Sequence, residues 1–214
     1  VFFPHGEDPT DVSLPVPDGD WWVTPEGAPQ APMRTYTISG VRPEDSELDI
    51  DFVIHVAGVA GPWAVRAQPG HVLGLNSPTG LYSPHEAVTW QVFATDLTGL
   101  PAVARITAEI PEGIRTRIVV EVPDTADQID LELGDHIEVT WVIGGNGHGP
   151  SQLGHIVRSV VDARLPLAEG YVWVAGETVA LRDVRKYLRK ELALPATHFK
   201  VVGYWTPIEA WDSK

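Results

Sequence analysis

The stretch WQVFATDLTGLPAVARITAEI, residues 90–110, decides the fold because it joins two different hydrophobic patterns. Its first part, WQVFATD, is a short and mostly apolar run, which is typical of a strand buried on both faces. Its second part, TGLPAVARITAEI, repeats apolar residues at helical spacing. The turn between them, within residues 94–101, would lie at the strand end where open α/β sheets bind ligands.

The chain continues this alternation of strands and helices up to its end. Further strands are predicted at residues 115–122, 136–143, 171–176 and 198–205, and helices at residues 152–163 and 178–192. Such alternation favours a parallel sheet with crossover helices. We therefore predict a nucleotide-binding type of α/β domain over residues 87–214. The segment GGNGHGPS, residues 144–151, lacks the G-x-G-x-x-G order and is predicted to be a flexible loop.

The first 86 residues are predicted to be strands and loops with one short helix. Residues 8–32 are rich in Pro, Gly and Asp, which predicts an extended loop. Strands are predicted at residues 34–40, 47–56 and 71–75, and the helix at residues 62–68. Since the sequence starts with VFF and no Met, we expect that further residues precede it in the natural protein.

One predicted strand carries a cation and an aromatic ring on the same face. Arg34 and Tyr36 are two residues apart, so their side chains would project together. A guanidinium binds phosphate or carboxylate through its planar fork, and a tyrosine ring can stack on a planar ligand. The pair therefore fits either a ligand site or an edge strand with a solvated Arg and a half-buried Tyr.

The composition excludes several classes of protein. The chain has 214 residues, no cysteine and a formal net charge of −14. This negative field disfavours binding to nucleic acid or to an anionic membrane. No segment is long and apolar enough to cross a bilayer, and residues 1–10 do not resemble a signal peptide. We expect a cytoplasmic protein with no nucleic-acid partner and no membrane insertion, and the sequence does not predict its oligomeric state.

The sequence also offers no motif for metal or nucleophilic chemistry. The eight histidines show no metal-binding spacing, and no serine lies in a nucleophile elbow. We therefore expect no metal site and no catalytic side chain of these kinds.

Six segments together resemble one family. They occur in family order and are RTYT (34–37), LDIDFVIH (48–55), GPWAVRAQPGHVLGL (61–75), TGLPAVARI (98–106), YVWVAGE (171–177) and VVGYW (201–205). In combination they resemble the siderophore-interacting proteins, flavin-dependent ferric-siderophore reductases of the ferredoxin-reductase superfamily. The resemblance implies a partial antiparallel β-barrel that binds FAD over residues 1–86, followed by an NAD(P)H-binding-like α/β domain over residues 87–214.

The resemblance assigns a set of FAD-binding residues. By this likeness Arg34 neutralises the FAD pyrophosphate, Tyr36 packs against the isoalloxazine ring and Thr37 bonds near the redox-active nitrogen. The backbone N–H groups at the start of the predicted short helix would hold the same pyrophosphate. The full set is Arg34, Tyr36, Thr37, His55, Gly61, Trp63, Ala64 and Trp205.

The resemblance also implies residues that face NADPH or NADH in the second domain. They are Asp96, Thr98, Gly99, Gly176 and Glu177. This sequence departs from the family pattern in the same loop, because Thr95 replaces a glycine and Leu97 a glutamate. Thr206 and Pro207 also follow Trp205 where family members commonly carry a basic residue.

The identity of the electron donor stays open. The second strand of the α/β domain ends in Glu121 and Asp124, and an acidic residue at that end normally favours the free ribose hydroxyls of NADH. The family association favours NADPH, and some relatives take electrons from ferredoxin. The basic segment ALRDVRKYLRKEL, residues 180–192, is either a solvated helix end that complements the helix dipole or a ferredoxin-docking patch.

The sequence thus predicts an oxidoreductase in which FAD, and no protein side chain, carries the chemistry. The predicted reaction is reduction of Fe³⁺ to Fe²⁺ in a ferric siderophore, the expected partner. Two alternatives remain: a protein that binds siderophore or flavin without turnover, and a general flavin reductase of the same superfamily.

Overall fold

The structure is a computed structural model, and it describes residues 1–55, 58–163 and 166–207. By their internal contacts the residues form two compact units. One contains residues 1–37 and 50–79, and the other contains residues 38–49 and those from residue 80 onward. Val56, the last residue of a predicted strand, lies outside the described residues, and the domain boundary at residues 86 and 87 stays a prediction.

The described residues form nine strands and four α-helices. The strands are β1 Val16–Asp18, β2 Trp21–Val23, β3 Ile38–Arg42, β4 Glu47–Ile50, β5 Trp90–Asp96, β6 Arg115–Val122, β7 Ile137–Ile143, β8 Gly170–Glu177 and β9 Phe199–Trp205. The α-helices are α1 Ala60–Arg66, α2 Leu100–Thr107, α3 Leu153–Asp162 and α4 Leu181–Lys186.

Five strands of the second unit form one parallel sheet in the order β7-β6-β5-β8-β9. All seven residues of β5 are buried, as expected of a central strand covered on both faces. The chain first builds outward from β5 to β7 and then returns to place β8 on the other side of β5. The strand order therefore reverses between β5 and β8, and the predicted parallel α/β domain is confirmed.

Apolar side chains cover both faces of this sheet. Residues alternate between the faces along each strand, so Phe93 and Trp173 join one buried cluster while Ala94 and Val174 join another. The first cluster packs against α2 through Leu100 and other residues, and the second packs against α3 and α4. This three-layer arrangement holds all five carboxyl strand ends at one edge of the sheet.

The N-terminal strands are shorter than the sequence predicts. The first predicted strand begins at Ile38 instead of Arg34, β4 ends at Ile50, and the segment 71–75 retains a single bridge, from Phe2 to Gly74. Here the backbone of residues 1–3 bonds to two separate segments, near residues 32–34 and at Gly74, so no continuous ladder forms. Residues 8–32, predicted to be a loop, contain the short strands β1 and β2. The antiparallel pair β1–β2 and the pair β3–β4 are separate sheets, and the predicted barrel stays a prediction.

The last predicted helix, residues 178–192, is only partly α-helical. After α4 the chain forms a π-helical turn, Tyr187–Glu191, in which the N–H of Leu192 donates to the carbonyl of Tyr187 at 3.0 Å. The Tyr187 hydroxyl bonds to Asp162 of α3, and the Arg158 guanidinium lies 4.0 Å from the centre of the Tyr187 ring. These contacts join the wider turn to α3, and Tyr187 packs in the second buried cluster.

We predict that Gly170→Ala destabilises the chain by about 1–3 kcal/mol, because a Cβ at Gly170 would overlap the indole of Trp90. That indole has little room to move, since Trp90 is 5% exposed and its Nε1 donates to the carbonyl of Pro166 at 3.0 Å. Urea unfolding measures the change. Gly154→Ala in α3 is the control: its Cβ meets no atom within 4 Å, so stability should stay equal or rise. Equal losses in both variants would contradict this packing.

Candidate functional site

The predicted site residues fall into two groups, one in each unit. The group in the first unit comprises Arg34, Tyr36, Thr37, His55, Gly61, Trp63 and Ala64. The group in the second unit comprises Asp96, Thr98, Gly99, Gly176, Glu177 and Trp205, so Trp205 shares a unit with the nucleotide-facing set.

Arg34 presents a cation with no acidic partner among the described residues. Its backbone is fixed, because its N–H donates to the carbonyl of Val1 at 2.9 Å. Its exposed side chain donates from Nη1 only to the carbonyl of Met33, at 2.7 Å. A guanidinium in this state can form charge-assisted hydrogen bonds with a phosphate.

Tyr36 lies in an aromatic cluster. Its ring centre is 4.5 Å from that of Phe52, which in turn contacts Trp63 at 5.9 Å and Phe3 at 6.4 Å. Burial raises the pKa of Tyr36, and the positive charge of Arg34 acts in the opposite direction. The cation and the half-buried ring are therefore near each other, although neither residue belongs to a regular strand.

Among the described residues, no side-chain cap covers the start of α1. Val59, at its N-cap position, makes no side-chain capping bond. Gly61 packs closely against the chain before the helix, since a Cβ there would lie 2.6 Å from the carbonyl oxygen of His55. The buried Nε1 of Trp63 has no partner among the described residues, and an unsatisfied buried donor is costly.

These residues fit FAD in their chemistry. The pyrophosphate needs cations and N–H donors, which Arg34 and the uncapped start of α1 supply. The isoalloxazine needs flat apolar contacts, which the ring cluster supplies, and the Trp63 donor can serve one of its acceptors. Thr37 and Ala64 are half-buried and His55 is exposed; their predicted contacts with FAD stay predictions.

In the second unit, the Asp96 side chain joins three strand ends. It is 1% exposed, and its Oδ1 accepts from the N–H of Thr98 at 2.9 Å and from the Thr98 hydroxyl at 2.5 Å. Its Oδ2 accepts from Nε1 of Trp205 at 2.7 Å, and the Glu177 N–H is a fourth donor. Burial raises the pKa of Asp96, while these hydrogen bonds partly oppose the rise.

Two glycines permit this close packing. Gly176 has φ +147°, and a Cβ there would lie 2.7 Å from Oδ2 of Asp96. A Cβ at Gly99 would overlap the Thr95 hydroxyl. The predicted residues Asp96, Thr98, Gly99, Gly176 and Glu177 are thus brought together at one sheet edge, and Trp205 joins them.

Asn146 is a structural residue of this edge that the sequence analysis missed. Its Oδ1 accepts from the N–H of Leu97 at 2.9 Å, and its Nδ2 donates to the carbonyls of Glu121 and Gly144. It has φ +54°, which Asn tolerates better than most residues. The predicted flexible loop is therefore attached at Asn146, and an Asn between glycines was the available signal.

Glu121 attaches the end of the same loop. It is fully buried, and it accepts from the Ser151 hydroxyl at 2.8 Å and from the N–H of Gln152 at 2.6 Å. Burial, and then the charge of Asp96, raise its pKa. This carboxylate was expected to favour the ribose of NADH, but its hydrogen bonds are directed to the start of α3. Asp124 lies in the capping box of a short 3-10 turn.

Glu177 is the most exposed of three neighbouring acids at this edge. Burial raises its pKa, and the charges of Asp96 and Glu121 raise it further. Within the described ranges, no group of three or more His, Asp or Glu side chains is arranged to hold a metal ion. The described helices include none with the length and apolar character of a membrane span.

Comparison with known proteins gives two matching family models. A siderophore-interacting FAD-binding domain matches residues 1–82, and a siderophore-interacting protein model matches residues 88–207. Ferric vibriobactin reductase ViuB of Vibrio cholerae is 31% identical over 210 residues, which are 96% of this chain and 74% of ViuB. The NADPH-dependent ferric-chelate reductase of Escherichia coli is 29% identical over 215 residues, covering 96% of this chain and 77% of that protein.

A solved structure of a related protein also matches this chain. The crystal structure of a siderophore utilization protein from T. fusca aligns with a TM-score of 0.80 at 33% identity. The alignment covers 97% of this chain and 78% of that chain.

We predict that Glu121→Gln becomes more stable relative to the parent chain as pH rises above 4.5, the ordinary pKa of a glutamate. A raised pKa means that folding favours the neutral carboxyl, so the parent loses stability as Glu121 ionises. Urea unfolding at a series of pH values measures the difference. Glu191→Gln is the control. Because the hydrogen bond from Arg158 lowers the pKa of Glu191, this variant should become less stable relative to the parent chain as pH rises toward 4.5. A stability difference between Glu121→Gln and the parent chain that does not change with pH would contradict the raised pKa of Glu121.

Proposed function

Because the chain belongs to the siderophore-interacting protein family, we propose that it reduces Fe³⁺ to Fe²⁺ in a ferric siderophore, with electrons that a nicotinamide nucleotide supplies through FAD. The observation that carries this proposal is the Arg34 cation beside the Tyr36 ring. This cation has no acidic partner in the described part of the chain, and it lies within the segment matched by the FAD-binding model. Release of iron follows from the weaker hold of hard oxygen donors on Fe²⁺ than on Fe³⁺.

The family membership confirms several sequence predictions. The chain is an oxidoreductase related to siderophore use, with an FAD-binding N-terminal domain followed by a domain with a parallel sheet. FAD and a nicotinamide nucleotide are its cofactors. We propose, in addition, the contacts of the individual site residues, the siderophore as substrate and the identity of the electron donor.

When bound, FAD supplies hydride acceptance and transfer of single electrons. The proposed task of the protein is binding and orientation. Arg34 neutralises the pyrophosphate, and the N–H groups of Ala60 and Gly61 assist it at the start of α1. Tyr36 and the rings behind it hold the isoalloxazine in an apolar environment, and Thr37 bonds to its polar edge.

We further propose that the nucleotide binds at the carboxyl edge of the parallel sheet, where the strand order reverses. Thr98, Gly99, Gly176 and Glu177 lie there. Glu121 gives no support for selection of NADH, because its carboxylate is engaged by Ser151 and Gln152. NADPH is supported by the name of the Escherichia coli relative, and ferredoxin remains an alternative donor.

The charge of the chain is unfavourable for an anionic substrate. The net charge of −14 opposes an anionic ferric siderophore, and Thr206 and Pro207, which follow Trp205, are uncharged. This observation favours, as a second candidate, a protein that binds its ligand without turnover. A general flavin reductase is the third candidate. We propose a cytoplasmic location, which cell fractionation tests.

An anaerobic stopped-flow experiment separates these functions. The FAD-loaded chain is mixed with NADPH, NADH or reduced ferredoxin, and then with a catecholate or hydroxamate ferric siderophore and an Fe²⁺ chelator. We expect at least one donor to bleach the flavin, and the siderophore to restore its colour while Fe²⁺ is trapped. No bleaching by any donor would favour the binding protein. Equal rates with ferric citrate or free flavin would favour the general reductase.

We predict that Arg34→Ala weakens FAD binding by about 1.5–3 kcal/mol, the contribution of a hydrogen bond to a charged group. This corresponds to a loss of roughly 10- to 100-fold in affinity. Titration of the apoprotein with FAD, followed by flavin absorbance, measures the affinity. Arg66→Ala is the control, since Arg66 is also an exposed cation of the first unit but lies at the other end of α1. Equal affinities for the two variants would remove Arg34 from the site.

A further inference from the structure

We infer that Asp96 is a positioning residue, which fixes the indole of Trp205 relative to the Thr98 turn and thereby sets the geometry for the nicotinamide. Its carboxylate binds the end of β9, the end of β8 and the turn after β5 at once. The inference rests on the proposed function, because it assigns to Asp96 an effect on the reaction of the nicotinamide donor.

Asp96 has no hydrogen-bonding capacity directed at a ligand. It is 1% exposed, and both of its oxygens accept hydrogen bonds from within the chain. Direct contact with a nucleotide would require these bonds to break. Any effect of Asp96 on the nucleotide is therefore exerted through the three residues it holds, Trp205, Thr98 and Glu177.

The arrangement specifically requires a carboxylate. Four N–H and O–H donors surround its two oxygens. An asparagine at this position has one acceptor oxygen, so its NH₂ group would point either at the Trp205 indole N–H or at the donors of Thr98. The amide would thus release one of the two groups that Asp96 holds.

Asp96 is buried beside two other acids. Burial penalises its charge, and the neighbouring acids Glu121 and Glu177 interact with it unfavourably. A neutral side chain would avoid both effects but would leave a donor of Trp205, Thr98 or Glu177 without an acceptor. The carboxylate is therefore suited to orient the Trp205 indole and the Thr98 hydroxyl together.

Two further contacts make the held groups rigid. The next residue, Leu97, donates its N–H to Asn146, so the loop after β7 also holds the turn. The N–H of Thr178 donates to the carbonyl of Trp205 at 2.8 Å, which holds the backbone at the end of β9. With its backbone fixed, the orientation of the Trp205 side chain depends on the bond from its Nε1 to Asp96.

The first test is spectroscopic and needs no turnover. The chain has eight Trp residues, so a ¹H–¹⁵N spectrum shows up to eight indole signals, and the signal lost in Trp205→Phe is that of Trp205. We expect this signal downfield and slow to exchange in the parent chain, because the N–H is buried against a carboxylate. In Asp96→Asn, either this signal or the backbone N–H signal of Thr98 should shift upfield and exchange faster, depending on which group the amide releases. If both signals stay unchanged, the inference is overturned.

The second test separates positioning from general stability. We expect Asp96→Asn to lower kcat/KM for the nicotinamide donor by about 10- to 100-fold, through misorientation. Trp205→Phe should produce a similar loss. If the spectrum shows that Asp96→Asn releases the Trp205 indole, the double variant should be no worse than either single variant, and losses that multiply would contradict the inference. Trp205→Phe keeps the test valid if Asp96→Asn does not fold.

Asp127→Asn is the matched control. Its carboxylate also accepts a backbone N–H at a short helical turn, from Asp124 at 3.1 Å, but lies outside this cluster. We expect it to keep the parent kcat/KM and the parent Trp205 signal. A failure of the proposed function itself would appear differently. The parent chain would then show no flavin bleaching, while the signals of the groups that Asp96 holds would still change in Asp96→Asn.

Discussion

The buried carboxylate of Asp96 is the interaction on which the sheet edge depends. Removing a charged carboxylate from water costs several kcal/mol, so such a group persists only when its oxygens are satisfied. Here four donors satisfy it, from the ends of β8 and β9 and from the turn after β5. Each contributes on the order of 1.5–3 kcal/mol. The parallel sheet makes this possible, because it aligns the carboxyl ends of separate strands.

The two units differ in how their polar groups are hydrogen-bonded. In the second unit the polar groups at the sheet edge are bound to one another, through Asp96, Asn146 and Glu121. In the first unit the Arg34 cation has no acidic partner among the described residues and the Trp63 donor is unsatisfied. The first pattern holds a preformed shape, whereas the second leaves bonding capacity for a ligand.

The sequence predicted the regular part of the fold well. The strands at residues 90–96 and 115–122 have the predicted bounds, and the other sheet strands differ by one residue at one or both ends, because apolar runs bounded by turns are strong signals. The N-terminal strands were overestimated, since residues there bond to segments distant in sequence. The hydrogen-bond partners of Asn146 and Glu121 could not be predicted for the same reason: they lie about 25–50 residues away and meet only when the sheet forms.

The account depends most directly on FAD in the N-terminal domain, and one measurement tests this. The chain is incubated with excess FAD, passed through gel filtration, and its visible absorption is compared with its protein content. The account predicts that the two visible bands of an oxidised flavin elute with the protein, at one FAD for each chain. Elution of all the flavin apart from a folded chain would contradict it.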